Sequence, residues 1–432
     1  MTGVHVANAD VVARARVALF DVERLSAERL VGIYRVLGEV DGPRHYARRL
    51  AVALHTTGHV FARHGADMGL ALGRLTEAIE LCRGLDPAEH RDRDAVLRGL
   101  LATHQWALYR YGRRREALAV RRELVALARA GRGDRRALAE ALLELAVGLV
   151  EDGRDDEAES LFAEAVAVAA GPRRDYRSTA DRHWYVTAYA GHLATRGRFA
   201  EAAEVYAPLL GGGGNRDDGD SDPAVAVDAT PDDRRVPILL YGAHLSAAAQ
   251  RRAEGRAVFA RAVKVYRRGV DSGLVRGPAR GSFRGSVHGL RHDRLAHHPA
   301  AFGAADEPAD VAHATTRDHW SPTRLDRYVN AETALRGALD ASTTGAAERL
   351  VLERRLNVRA AFAYMRRADV IDRLLPAFAK AVDHARALAV ADPEAGTPLL
   401  VRALTDHALL LATVGRAAEG VADLEEAGAL YG

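Results

Sequence analysis

A short signature recurs along the chain, and it constrains the fold more than any other feature. Segments 108–128, 148–169 and 192–210 each carry an apolar helical pattern, a Gly-Arg pair and then a second helical pattern. An alanine stands five residues after each glycine: Ala117 after Gly112, Ala158 after Gly153 and Ala202 after Gly197. An acidic residue precedes each alanine: Glu116, Glu157 and Glu201. The glycine can take a positive φ and end the first helix. The acidic residue then falls in the first turn of the next helix, where the macrodipole favours it. The small residue lets two helices approach closely. Large apolar residues follow on the same face, Phe162 four after Ala158 and Tyr206 four after Ala202. The segment 409–432 repeats the theme with Gly415 and Gly420. The chain is rich in alanine and arginine, both strong helix formers, and Lys264 and Lys380 are its only lysines.

At these residues the chain resembles the tetratricopeptide repeat superfamily. Ala158, Phe162 and Ala165 meet the family's order of small residue, aromatic and small residue in the second helix; Ala202, Tyr206 and Leu209 meet it in part. The unit at Gly112 departs from it, with Arg121 where an aromatic is expected. Gly112 to Gly153 is 41 residues and Gly153 to Gly197 is 44, against ~34 for the standard repeat. The resemblance is therefore to longer-helix variants, such as those of kinesin light chains and actinobacterial regulators. It implies an all-α fold, an α-solenoid of antiparallel helix pairs forming a tetratricopeptide-like superhelix. Each pair leaves one apolar face bare, which only stacking buries.

Further helix pairs are expected over 48–83, with a break at Gly65, and over about 232–270, with Gly255, Phe259 and Ala262 in the packing positions. Two interruptions are expected. Segment 211–231 begins with four glycines and carries polar residues unsuited to a packed helix. Segment 271–325 loses every helical or strand period. Its composition changes abruptly over 277–324, as a shifted reading frame would also produce; normal third-base codon bias there would exclude that origin. The expected organisation is a helical array over 1–270, an irregular segment over 271–325 and further tetratricopeptide-like helices over 326–432.

Several chemistries find little support. Lys+Arg total 61 and Asp+Glu 58, a near-balance unlike that of a dedicated polyanion binder. Arg276, Arg280, Arg284, Arg291 and Arg294 could grip phosphates, yet only Phe283 offers a stacking surface among them. Asp218, Asp220 and Asp222 alternate as in a calcium loop, but Pro223 and Ala229 occupy the places of its glycine and glutamate. His55 and His59 stand four apart on one helix and could share a metal, but His64 lies ~140° around the helix from His59, poorly placed as a third ligand. Cys82, the only cysteine, sits on an apolar helix face as a small core residue. No phosphate loop ending in Gly-Lys and no GxSxG motif occurs. No catalytic residue, metal or cofactor is assigned, and the chain is not read as an enzyme. The lone cysteine, an N-terminus without a basic start or apolar run, and the lack of any ~20-residue apolar stretch together point to the cytoplasm.

The resemblance implies that the first helix of each pair lines a concave groove. Counting back from the helix-ending glycines places His55, His59 and Arg63 there, followed by Trp106, Tyr109 and Arg110. Leu143, Val147 and Glu151 come next, then Trp184 and Thr187. Aromatic residues and arginine are enriched at binding hot spots. The expected function is a protein- or peptide-binding scaffold, with Trp106, Tyr109 and Trp184 as anchors and Arg63 and Arg110 reading acidic groups. The alternative is a regulatory or sensor module of a bacterial signalling or transcription system. Oligomeric state and partner identity are not legible.

Overall fold

A computed structural model describes residues 9–64, 67–131, 135–170, 176–210, 232–271, 337, 339, 345–364, 368–413 and 416–431. Segment 211–231, with Asp218, Asp220 and Asp222, and the arginine- and histidine-rich segment 277–324 lie outside them. Among the described residues every regular element is helical. The fold is all-α, of the solenoid type, built from antiparallel helix pairs packed on their neighbours. The helices are α1 (Ala9–Ala18), a 3₁₀ segment (Leu19–Arg24), α2 (Ala27–Asp41), α3 (Pro43–His64), α4 (Met68–Arg83), α5 (Arg93–Arg110), α6 (Arg114–Ala130) and α7 (Arg135–Glu151). They continue as α8 (Asp155–Ala169), α9 (Tyr176–Thr195), α10 (Phe199–Leu210), α11 (Asp232–Ala248) and α12 (Arg252–Asp271). The final group is α13 (Ala346–Tyr364), α14 (Ala368–Ala391), α15 (Pro393–Thr413) and α16 (Gly420–Leu430).

The recurrent glycines do what their spacing predicts. Gly112, Gly153 and Gly197 have φ of +76°, +75° and +75°. After each, the arginine N–H donates to the carbonyl five residues back: Arg113 to Leu108 at 2.8 Å, Arg154 to Leu149 at 2.9 Å, Arg198 to Leu193 at 3.0 Å. The glycine N–H donates to the carbonyl three residues back, completing a Schellman closure that satisfies the helix-end carbonyls. Gln250 takes the same conformation, φ +64°, although it carries a side chain. Arg251 there donates to Ser246, and Arg416 donates to Leu411 in the last such turn.

Four of these turns also carry a lock beyond the macrodipole effect expected of the acidic residue. Arg113 forks onto Glu116, Arg154 onto Glu157, Arg198 onto Glu201 and Arg416 onto Glu419, all through both guanidinium arms. The signature is therefore Gly-Arg-x-x-Glu followed by a small residue. That residue, Ala117, Ala158, Ala202, Gly255 or Gly420, is buried in every case. Arg198 additionally reaches back to Glu159 of α8 at 2.5 Å, and Arg251 reaches Glu204 of α10 at 2.9 Å, so neighbouring hairpins are tied at their turns.

The described residues divide into two compact units, one up to Gly148 and the other from Leu149 onward. The division falls inside α7, after Gly148. In the first unit α2, α3, α4, α5 and α6 contact one another in succession. A core cluster joins Ala62, Ala71, Leu72 and Leu75 to Ala107, Leu108, Tyr109 and Ala117.

In the second unit α8 to α12 likewise pack in succession. The C-terminal helices do not begin a separate core: Leu350, Val382, Leu404, Leu424 and Ala427 share one cluster with Leu193, Tyr206, Leu239 and Phe259. They join it through α16, which packs on α12. Tyr266 meets Ala417 and Gly420, while Phe259 stacks on Tyr431 with centroids 4.5 Å apart and lies beside Gly428. The two second helices therefore run antiparallel. The helix that follows α12 in space is the last of the described helices in sequence.

Candidate functional site

The sequence singles out the first helices of the early pairs, and in the first unit the structure brings two of them together. His55 and His59 sit four residues apart on one face of α3; Thr103 and Trp106 sit three apart on one face of α5. His55 Nε2 and Thr103 Oγ1 share a hydrogen bond of 2.7 Å. The His59 and Trp106 rings lie 5.3 Å apart, tilted by 37°. All four side chains are half-buried. Burial, with a smaller effect from His59, holds the His55 imidazole below its ordinary pKa. Val52 and Val60 flank the histidines on α3 and are 42% and 44% exposed. The surface is thus an apolar strip, with a tryptophan whose orientation is fixed by a neighbouring ring and a histidine held by a hydroxyl.

A polar network lies beneath it. Arg121 on α6 is only 8% exposed. Its Nε donates to Gln105 Oε1 at 2.8 Å and its Nη1 to the Glu144 carbonyl at 2.7 Å. Gln105 in turn donates to Glu144 Oε2 at 3.0 Å. The guanidinium lies 4.0 Å from the centroid of the Tyr109 ring, a cation–π contact in a desolvated setting. The arginine that breaks the repeat's aromatic pattern therefore fills the aromatic's place, its charge held by three partners. Gly148 on α7 makes the room: a Cβ there would sit 2.6 Å from Leu118 Cδ2 and 2.7 Å from Arg121 Nη1.

The expected site residues separate into distinct environments. His55, His59 and Trp106 come together as described. Tyr109 is 4% exposed and belongs to the core under Arg121, which corrects its assignment as a groove anchor. Three residues after Trp106, Tyr109 lies ~60° further round α5, and its ring is covered there by Arg121 of α6. Of the neighbouring expected positions, Leu143 and Thr187 are also buried, and Val147 is half-buried. The side chains of Arg63, Arg110, Glu151 and Trp184 lie outside the described residues. Thr103, Gln105 and Glu144 were missed by the sequence reading. Thr103 could have been found as the residue one turn before Trp106, on the same face.

Cys82 is fully buried, its Sγ directed at the Arg93 carbonyl at 3.6 Å, and burial raises its thiol pKa. Among the described residues no group of three His, Cys, Asp or Glu side chains is placed to hold a metal ion. His55 and His59 turn to Thr103 and Trp106 instead of to a shared centre. A second enclosed spot lies between α13, α14 and α15, lined by Arg354, Asn357, Phe378 and Asp406. There Arg354 Nε donates to Asp406 Oδ2 at 2.6 Å, with both side chains buried. The cavity measures about 10 Å³, enough for no more than a single water. No helix among the described residues is long and apolar enough to cross a membrane.

No family model matches the chain. No curated protein matches it either. Among solved structures, it is matched to a "Circular tandem repeat protein with novel repeat topology and enhanced subunit contact surfaces" at 15% identity. That match covers 97% of this chain and 98% of the other, with a TM-score of 0.19.

Proposed function

We propose that the chain is a tetratricopeptide-like binding scaffold whose first-helix face, on α3 and α5, takes a protein segment bearing an apolar anchor side chain. The observation that carries this reading is the strip Val52–His55–His59–Val60 with Trp106. It couples exposed aliphatic surface to a tryptophan already oriented by His59, the combination that hot spots use. Pre-orientation lowers the entropy lost on binding. The His55–Thr103 pair supplies a polar point beside the strip, which fixes register for an incoming helix or extended segment. Arg63 and Arg110 stand at the ends of α3 and α5, where acidic groups of the same ligand would be read. The role assigned is binding, without a catalytic step, and the compartment is the cytoplasm, on the strength of the single cysteine.

The test is a peptide-display selection on the immobilised chain, followed by measured affinities for Val60→Asp and Trp106→Ala. Val60→Asp is the cleaner variant because its side chain is exposed. Selected peptides should bind in the micromolar range and lose at least tenfold on Val60→Asp, with unchanged helicity. Peptides indifferent to both variants would remove the face from consideration.

A further inference from the structure

The contact between α12 and α16 has an internal two-fold relation. Shifting by 165 residues maps Gly255 onto Gly420, Phe259 onto Leu424, Ala262 onto Ala427 and Tyr266 onto Tyr431. The contacts map as well. Tyr266 lies over Gly420, where a Cβ would come within 2.5 Å of its hydroxyl; Tyr431 lies over Gly255, where a Cβ would meet its ring at 3.4 Å. The Tyr266 hydroxyl lies 3.2 Å from the Ala408 carbonyl, beside a closer acceptor at Ala417 (2.9 Å), and that of Tyr431 donates to Ala243 at 2.7 Å. Ala243 and Ala408 are related by the same shift. Residue contacts that exchange under a two-fold are the mark of an isologous interface, normally formed between two copies of a subunit. Here it is formed by two hairpins of one chain, α11–α12 and α15–α16.

Two pairs break the symmetry and set the preferred pairing. Val263 and Gly428 are equivalent positions and face each other across the pseudo-axis; a Cβ on Gly428 would lie 3.5 Å from Val263 Cγ2. Valine against glycine fills that space, whereas valine against valine would crowd it. Arg267 pairs with Glu425 at 2.8 Å, while the positions equivalent to them are Gly432 and Ala260, which carry no charge. Both features favour α12 against α16 over either helix against itself.

We infer that this interface accepts a second copy of the chain, the α15–α16 hairpin of each copy docking on the α11–α12 hairpin of the other. The α12–α16 contacts of the closed chain are kept in that exchange. The closed form is favoured by its covalent link between Asp271 and Ala346, and the closure entropy of a link that long limits the advantage. Rising concentration therefore shifts the balance toward the exchanged dimer.

Single-cysteine chains test this, in a Cys82→Ala background that removes the one native thiol. Chains with Val263→Cys and chains with Gly428→Cys are mixed at ~100 µM, refolded together and oxidised. The expected result is a disulfide-linked dimer in the mixture, several-fold above either chain alone, with a yield that rises with concentration. The doubly substituted chain, carrying both cysteines, should form an intrachain disulfide when dilute; failure to do so would deny that the two positions meet and would overturn the proposal. Equal linkage in all three incubations, or none above background in the mixture, would overturn it too. The unsubstituted chain gives an independent readout by light scattering. A species at twice 46.6 kDa after concentrated refolding is expected, and a monomer at every concentration contradicts the exchange.

Discussion

Arg113 forks onto Glu116 across a single helical turn, both guanidinium arms at 2.6 Å from the carboxylate. The same pair recurs at Arg154–Glu157, Arg198–Glu201 and Arg416–Glu419. A double-mutant cycle with Arg113→Ala and Glu116→Ala should give a coupling of about 0.2–1 kcal/mol, since both groups are substantially exposed. The coupling should shrink as salt is raised from 50 mM to 1 M. Urea midpoints for the four chains measure it. A coupling that is independent of salt would contradict the electrostatic account.

Gln250 occupies a backbone conformation that its three counterparts give to glycine. Left-handed φ costs a residue with a side chain roughly 1 kcal/mol. Gln250→Gly should therefore raise thermal stability, while Gly153→Ala should lower it by a similar amount. Nothing lies within 4 Å of a Cβ at Gly153, so the second effect isolates backbone strain from steric crowding. Thermal melts of both variants decide the matter, and a destabilised Gln250→Gly would show that the side chain contributes more than the strain removes.

Arg121 stands where the repeat pattern calls for an aromatic, and Arg121→Phe restores the pattern. It should nonetheless destabilise the chain, by about 2–4 kcal/mol, because Gln105 Oε1 and the Glu144 carbonyl would lose buried donors. Gly148→Ala should cost about 1–3 kcal/mol by overpacking against Leu118 and Arg121. Denaturant titrations test both. A stabilised Arg121→Phe chain would mean that the polar network is dispensable.

Stability should fall as pH drops below neutrality. Burial lowers the pKa of His55, His104 and His192 in the folded chain. The unfolded chain then binds more protons than the folded one once pH falls to about 6.5. Stability is full above that value and declines below it, until the folded-state pKa values are passed. A second decline comes from the carboxylates of Asp92, Glu201, Glu419 and Glu426. Hydrogen bonds from Arg48, Arg198, Arg416 and Arg386 hold their pKa values below the ordinary range. Their contribution is present above about pH 4.5 and disappears as pH falls through the folded values. Midpoints at pH 7.5, 6.0 and 4.0 follow both steps, and His192→Gln should flatten the first of them.

The turns were legible because their cause is local. A glycine that must take positive φ, an arginine after it and a glutamate three further on declare themselves within five residues, and Gly112, Gly153 and Gly197 behave accordingly. The face of α3 was legible for the same reason, since His55 and His59 share it by helical spacing alone. Tyr109 was misplaced because spacing sets it only ~60° from Trp106 around α5, and the sequence does not say that α6 brings Arg121 over its ring. The docking of α16 on α12 was least accessible. Tyr266 and Ala417 are 151 residues apart, and no short-range rule connects them. The signal that could have revealed it is the matched order Glu254-Gly255 and Glu419-Gly420 with tyrosine eleven residues after each glycine.

That long separation has a consequence for biosynthesis. Hairpins closed by their own turns form on microsecond to millisecond timescales, before the next one has been synthesised. The end face of α11–α12 has no such self-sufficiency, because its cover arrives only with Tyr431. About 160 residues must be added between Asp271 and that tyrosine, which takes roughly 8–32 s at the usual pace of translation. Throughout that interval a nascent chain presents Gly255, Phe259 and Tyr266 to its surroundings. On a crowded polysome, the first matching hairpin it encounters can belong to a sister chain.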